Sequence, residues 1–372
     1  VRLIHSLITA GFLLGLLQAA PDSNALQNSG QASPCGLTCT RCGHEIGFSY
    51  EEVGGKYYDP DCYVCSVCGT HLTARGQQCL LNGDSLYCLD CYRKRFDLRC
   101  AKCGEKITDG YTITDGRAYH SGCLVLTCAL CGKTIDRSYK RDHWGNLYHD
   151  YHWDDEKGCD YCGRLISSRT THGGISYPDG RYICNLCRPS AIDTFPTGEG
   201  LIDTVVSVLN QEGIAVDLSE IVMSLVDRDS LQKAKGTSTE TLNGFTLLTY
   251  HMIGNEDRVD TTYSPIVLLL YGMQRANFIQ AAAHELMHVW IGSHNPKRME
   301  MSFCEGSCNY AAYLVLPHLD DPLADYVIES MCLGQDIAYG HGFRRVKKMV
   351  EEKGIPFWLE ALKTRWDFPP GY

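Results

Sequence analysis

The pattern of apolar and polar positions changes character once along the chain, near Pro189. Before that point long periodic apolar runs are scarce, and Cys, Gly, Tyr and Asp dominate. After it, conventional stretches return. The segment from Ala191 to Leu209 has apolar residues at near-helical spacing and predicts a helix, and Ser219 to Lys235 predicts a second. The segments from Gly244 to Ile253 and from Ser264 to Tyr271 read as strands, the latter buried. Two more helices are expected, an alanine-rich one from Gln274 to Ile291 and another from about Phe303 to Leu316. Strands followed by a buried helix suggest a small α+β domain over 191–372.

A chain of 372 residues has room for more than one domain. The cysteine-rich half cannot bury enough apolar surface by itself, so metal must stand in for a core there. The chain has 21 cysteines, and all but Cys304, Cys308 and Cys332 fall between Cys35 and Cys187. Most come as x2 pairs, in which a short turn aims two side chains at one ion. The pairs combine into Cys39, Cys42, Asp59, Cys62; then Cys65, Cys68, Cys88, Cys91; then Cys100, Cys103, His120, Cys123; then Cys128, Cys131, His149, His152; and last Cys159, Cys162, Cys184, Cys187. Closed four-ligand shells imply structural zinc, about five ions in all. A disulfide scaffold leaves His120 and the His149/His152 pair unexplained. Cys35, Cys79, Cys304, Cys308 and Cys332 remain as buried or free thiols.

These spacings resemble LIM domains, which hold two zinc ions in tandem fingers. They divide the first half into a LIM domain at 39–98, a LIM-like domain at 99–156 and a four-cysteine finger at 157–190. Two departures stand out. Asp59 occupies the place usual for histidine and would make a harder, oxygen-ligated site, the alternative being a surface loop carboxylate with water as the fourth ligand. Cys123 and Cys128 also have four residues between them, where Cys62 and Cys65 have two.

In the second half the chemistry concentrates at His284-Glu285-Leu-Met-His288. Histidines at i and i+4 stack on one helix face and can reach one ion, with Glu285 placed for a bound water. Apolar neighbours such as Leu286, Val289 and Trp290 bury this helix, and a metal would compensate the buried polar groups. Glu305, seventeen residues beyond His288, is the expected third ligand. The alternatives are Glu300 and His294. Ser302-x-x-Glu305 also spells a capping box, in which Glu305 would bond to its own helix start. Three ligands leave one position open for water, with Glu285 as general base. Tyr339, His341 and Tyr313 are the candidate donors to a developing oxyanion.

With LIM-type fingers, an extra finger and a zincin helix in this order, the chain resembles the LIM-domain zinc peptidases of the plant organ-size-control family (the DA-one type) and their bacterial relatives. The likeness runs from about Cys100 to Pro369. It is carried by Tyr177-Pro-Asp-Gly-Arg-Tyr-Ile-Cys184-Asn-Leu-Cys187, Ala191-Ile-Asp-Thr194, Ile266-Val-Leu-Leu-Leu-Tyr-Gly272, His284 to Trp290, Glu305-Gly306 with Cys308, and Tyr339-Gly-His-Gly-Phe-Arg344. The resemblance implies a gluzincin-type metallopeptidase that cleaves protein or peptide substrates. It places His284, His288 and Glu305 on one catalytic zinc with Glu285 as base, and gives the fingers a role in protein binding or regulation. The plant members carry ubiquitin-interacting helices before the LIM region, where this sequence has an apparent export signal and a Gln/Ser/Gly linker, so that a ubiquitin link is doubtful. His341 stands where the relatives carry an acidic residue. The alternative is a non-catalytic LIM adaptor whose zincin domain is a relic.

Charge and the N-terminus bound the rest. A formal charge of −10 argues against a nucleic-acid partner, and Arg93-Lys94-Arg95 reads as solvated surface. Arg2 and His5 precede an apolar run from Leu7 to Leu17, with small residues at Ser23-Asn24-Ala25. That pattern predicts a signal peptide at 1–25, a linker at 26–38 and a secreted or periplasmic protein, with a cytoplasmic location as the alternative.

Overall fold

The computed structural model describes residues 38–372 apart from 45, 47–49, 74–77, 136–137, 239–241, 255–258 and 335, with only the backbone described over 251–262. The expected signal peptide, Cys35 and all but the last residue of the linker lie outside these residues. Two compact units result. One comprises Ile175–Tyr372 with Asp160–Cys162, and the other runs up to Cys159 and includes Gly163–Gly174. Among the described residues no helix is long and apolar enough to cross a membrane.

The cysteine-rich unit repeats one small device. At Cys39, Cys65, Cys100, Cys128 and Cys159, the first cysteine of a pair accepts a bond at its carbonyl from the N–H of a glycine four residues on. It also donates its own N–H to the carbonyl five residues on. Those glycines, Gly43, Gly69, Gly104, Gly132 and Gly163, have φ of +70° to +79°, a region closed to most side chains. Short hairpins bring up the second pairs: Glu51–Val53 with Lys56–Tyr58, Cys79–Asn82 with Ser85–Cys88, Tyr111–Thr114 with Arg117–His120, and Tyr139–Arg141 with Leu147–His149. The helices Leu89–Arg95 and Asp150–Asp155 follow two of them. The apolar clusters are small, built around side chains such as Tyr58, Leu80 and Tyr148.

The C-terminal unit has a conventional core. Strand β1 (Ala191–Ile192) precedes α1 (Phe195–Gln211). A three-stranded sheet follows, from β2 (Val222–Val226), β3 (Gly244–Gly254) and β4 (Val259–Leu270), with α2 (Arg228–Lys235) between the first two. β4 is central, parallel to β2 and antiparallel to β3. After β5 (Met273–Gln274), which pairs with β1, come α3 (Arg275–His294), α4 (Met301–Val315) and α5 (Pro322–Leu333). A π-helical turn, Ile337–His341, leads into α6 (Gly342–Lys353), and α7 (Ile355–Thr364) ends the order.

Two sequence expectations change. The helix expected from Ser219 to Lys235 is split, because Val222–Val226 pairs with Ile266–Leu270 as a strand. Ladder bonds to β4 override local helical spacing there. The helix expected from Ala191 starts only at Phe195, since Ala191 and Ile192 pair with Gln274 and Met273. This unit also extends upstream of 191. Arg181, almost wholly buried, donates to the Asp179 carboxylate and to the Tyr271 carbonyl at 2.7 Å, and lies over the Tyr177 and Tyr271 rings. A buried guanidinium with its donors taken up is a strong tie.

Candidate metal centres

Helix α3 is buried along nearly its whole length, from Ala276 to Gly292. The Gln274 side chain caps it by accepting from the Ala276 N–H at 2.6 Å. His284 and His288 stand one turn apart with their Nε2 atoms 3.1 Å from each other. Helix α4 brings Glu305 Oε2 to 3.1 Å from His284 Nε2 and 3.6 Å from His288 Nε2. Ligands on a tetrahedral ion at about 2.1 Å lie roughly 3.4 Å apart, so these three donors fit one zinc ion. The buried atoms Glu305 Oε1 and Glu285 Oε1 have no hydrogen-bond partner, which is costly unless an ion or a bound substrate engages the site.

Each imidazole is held from behind. His284 Nδ1 donates to Asn309 Oδ1 at 2.9 Å, and Asn309 Nδ2 donates to the Tyr339 carbonyl at 3.2 Å. His288 Nδ1 meets Cys308 Sγ at 3.1 Å and Cys304 Sγ at 3.8 Å. Such bonds fix the tautomer and aim Nε2 into the site. Burial alone would raise the Glu305 carboxyl, but the two histidines outweigh it and hold it well below the usual range. Glu285 goes the other way: burial raises it, although His284, His288 and the Thr246 hydroxyl, which donates to Oε2 at 2.7 Å, pull it down. A general base benefits from such a raised value. Gly244 makes room for this carboxylate, since a Cβ there would stand 2.7 Å from Glu285 Oε1.

The rival placements separate clearly. Glu300 is the N-cap of α4, accepting from the Phe303 N–H at 2.9 Å, so the capping box expected at Ser302 is displaced by two residues. His294 stacks on Trp290 with ring centroids 4.2 Å apart. Of the oxyanion candidates, Tyr339 stacks beside His284 at 6.2 Å. Its hydroxyl is raised first by burial and then by the charges of Glu305 and Glu285. His341 faces Arg344, whose Nη2 lies 3.1 Å from Nε2, and Tyr313 packs on Tyr310 and Phe343. Thr246, Asn309 and Cys308 were not singled out as supports of the site, although Asn309 could have been found at Glu305 plus four, on the same face of a helix.

In the fingers, four groups bring four donors each within 4.8 Å of one another: Cys65, Cys68, Cys88, Cys91; Cys100, Cys103, His120, Cys123; Cys128, Cys131, His149, His152; and Cys159, Cys162, Cys184, Cys187. Donor type and spacing suit structural zinc. His120 and His149 turn Nδ1 to a cysteine sulfur, at 3.4 and 3.5 Å, while Nε2 meets a backbone carbonyl. His152 Nε2 is buried with no protein hydrogen-bond partner, as an ion-facing nitrogen would be. Burial raises Cys100, but N–H groups of Cys103, His120 and Lys102 overcome it and leave the thiol at about 6. A ligand must be deprotonated to bind, so this cradle favours metal. Among the described residues the first finger groups Cys39, Cys42 and Cys62. Asp59, expected to ligate, uses its carboxylate to accept from the Asp61 N–H at 3.0 Å. Of the leftover cysteines, Cys304 and Cys308 back His288, and Cys332 is disulfide-bonded rather than a free thiol.

Residues 39–96 and 100–157 match the LIM domain family. The chain carries two LIM domains. It is 23% identical over 395 residues to the LIM domain-containing protein HDR3 of Oryza sativa subsp. japonica, covering 89% of this chain and 74% of that protein. It is also 23% identical over 393 residues to Protein DA1-related 2 of Arabidopsis thaliana, covering 89% and 69%. Human Four and a half LIM domains protein 5 is 26% identical over 198 residues, half of this chain and 66% of that one. The likeness to the two plant proteins reaches past both LIM domains into the C-terminal unit.

Proposed function

We propose that the C-terminal unit is a zinc-dependent peptidase acting on protein or peptide substrates, and that the LIM domains bind protein partners. The observation that carries this reading is the convergence of His284, His288 and Glu305 beside a buried Glu285 whose Oε1 is unpaired. His284, His288 and Glu305 would hold a zinc ion, which when bound would supply Lewis acidity toward a water and a carbonyl. Glu285, anchored through Oε2 to Thr246, offers Oε1 to take the proton of the attacking water and return it to the leaving amine. Of the three candidates Tyr339, whose ring stacks beside His284, is the one we assign to the developing oxyanion. Asn309 and Cys308 keep the two imidazoles aimed. The likeness to the plant LIM proteins beyond the LIM domains supports the same reading.

Replacing Glu285 by Gln tests it. On dye-labelled casein the variant should lose about 10²- to 10⁴-fold in turnover while native mass spectrometry finds its metal content unchanged. An adaptor with a relic site would give the same background signal from both proteins, and that outcome would end the peptidase reading.

A further inference from the structure

The four LIM fingers share one backbone construction. In each, the sulfur of the first knuckle cysteine accepts N–H bonds from the last two knuckle positions and from the residue at the third ligand position. For Cys65 the last donor is Cys88, for Cys100 it is His120, for Cys128 it is His149, and for Cys39 it is Asp59. The turn after that residue is also shared where a Cys-x2 partner follows: the Cys62 N–H donates to the Asp59 carbonyl at 2.8 Å, as Cys123 does to His120 at 2.9 Å. The main chain at Asp59 therefore sits where a ligand should. Its side chain does not behave as one. His120 Nδ1 reaches Cys103 Sγ at 3.4 Å and Cys123 Sγ at 3.8 Å, whereas Asp59 Oδ1 caps a short turn through the Asp61 N–H.

Local sequence explains the difference. Pro60 follows Asp59 and fixes the first turn position, and an Asp before such a turn accepts the N–H two residues on. His120 is followed by Ser and Gly, with no such lock. Charge acts in the same sense. Three thiolates on a divalent ion already leave an excess negative charge, and a hard carboxylate adds another where a neutral donor would not.

We propose that, among the described residues, Cys39, Cys42 and Cys62 alone would hold the zinc of the first finger, with the fourth position left to a donor other than Asp59. A small soft donor such as a thiolate would suit that position. Structural zinc sites are ordinarily closed, and an open position is what gives an ion exchange chemistry. This inference is independent of the peptidase reading.

Zinc transfer to the chelator 4-(2-pyridylazo)resorcinol tests it, on the full chain carrying His288→Ala so that the C-terminal centre is out of the count. One ion should leave in a fast phase that Cys62→Ala abolishes. Asp59→Ala should leave the zinc count and the phase unchanged. Asp59→His, which supplies the missing nitrogen, should slow that phase by more than about tenfold, the scale on which even an outer partner of a ligand acts. Asp59→Cys gives the same closure if the histidine variant fails to fold. In a cobalt-loaded sample, 2-mercaptoethanol should shift the sulfur-to-metal absorption of the parent and leave that of the closed variant alone. Release of all ions in one phase overturns the proposal. So does an Asp59→Ala variant that loses an ion as Cys62→Ala does, because the carboxylate would then be a ligand.

Discussion

The two metal-binding regions gather similar side chains around a point by opposite means. In the fingers each pair of donors is local, the first pair of each set by a turn with a left-handed glycine, and very little apolar core stands behind it. In the C-terminal unit the donors come from two helices buried almost end to end, so that packing holds their backbones in place. The comparison teaches where the folding energy resides: in coordination for the first region and in packing for the second.

The largest expected effect follows directly. Stripping metal from the full chain should remove amide-exchange protection across 39–157, because each structural zinc contributes on the order of 10 kcal/mol to the fold that holds it. Peptides from α3 and β4 should keep theirs. Equal loss of protection in α3 would break the comparison.

A glycine pair gives the next largest contrast. Helix α4 meets the start of α6 so closely that a Cβ on Gly306 would lie 2.2 Å from the Gly342 carbonyl carbon. Backbone cannot yield as a side chain can, so Gly306→Ala should cost about 3 kcal/mol or more, read by calorimetry as a fall in Tm of the C-terminal unit. Gly43→Ala in the first knuckle meets nothing within 4 Å and carries only the penalty of a φ of +73°, about 1–2 kcal/mol.

The same contrast explains what was legible in the sequence. The x2 pairs could be read at sight because a local turn is enough to join two donors, and so could His284 and His288 on one helical face. Glu305 was found by its distance along the chain, but its rival Glu300 could be set aside only once the start of α4 was seen at Met301. At Asp59 spacing reports where the main chain goes, while Pro60 bears on where the carboxylate turns. The strand Val222–Val226 was hidden because its partner, Ile266–Leu270, lies forty-odd residues on and local spacing carries no trace of it. Thr246 is likewise invisible as the anchor of Glu285 until β3 is laid beside α3.

Glu300 supplies a smaller effect that sharpens the division of labour between neighbouring carboxylates. As a cap alone, Glu300→Ala should cost about 1 kcal/mol in chemical denaturation and leave the metal content unchanged. Glu305→Ala should lose an ion. A loss of metal from the Glu300 variant would return that residue to the ligand set.

The smallest effect concerns His341, at the edge of the C-terminal site. Burial lowers its imidazole first, and the positive charge of Arg344 adds to that, outweighing the pull of Asp336 and bringing it from 6.5 to about 4. The neutral ring is the form the native state favours, with Nε2 available to accept from Arg344 at 3.1 Å. A folded value below the unfolded one means that the unfolded chain binds the proton first as pH falls. The stability His341 contributes is therefore complete above about pH 6.5 and is lost progressively down to about pH 4. His341→Gln keeps a hydrogen-bond acceptor without a proton to gain, so the gap in urea midpoint between wild type and variant should narrow or reverse in favour of the variant across that window. A gap that stays constant with pH would mean that the imidazole titrates alike in both states and that Arg344 does not govern it. Because the group is partly solvated, the change should be modest beside the loss of a finger zinc, as expected of a unit that relies on packing rather than on any one charged group.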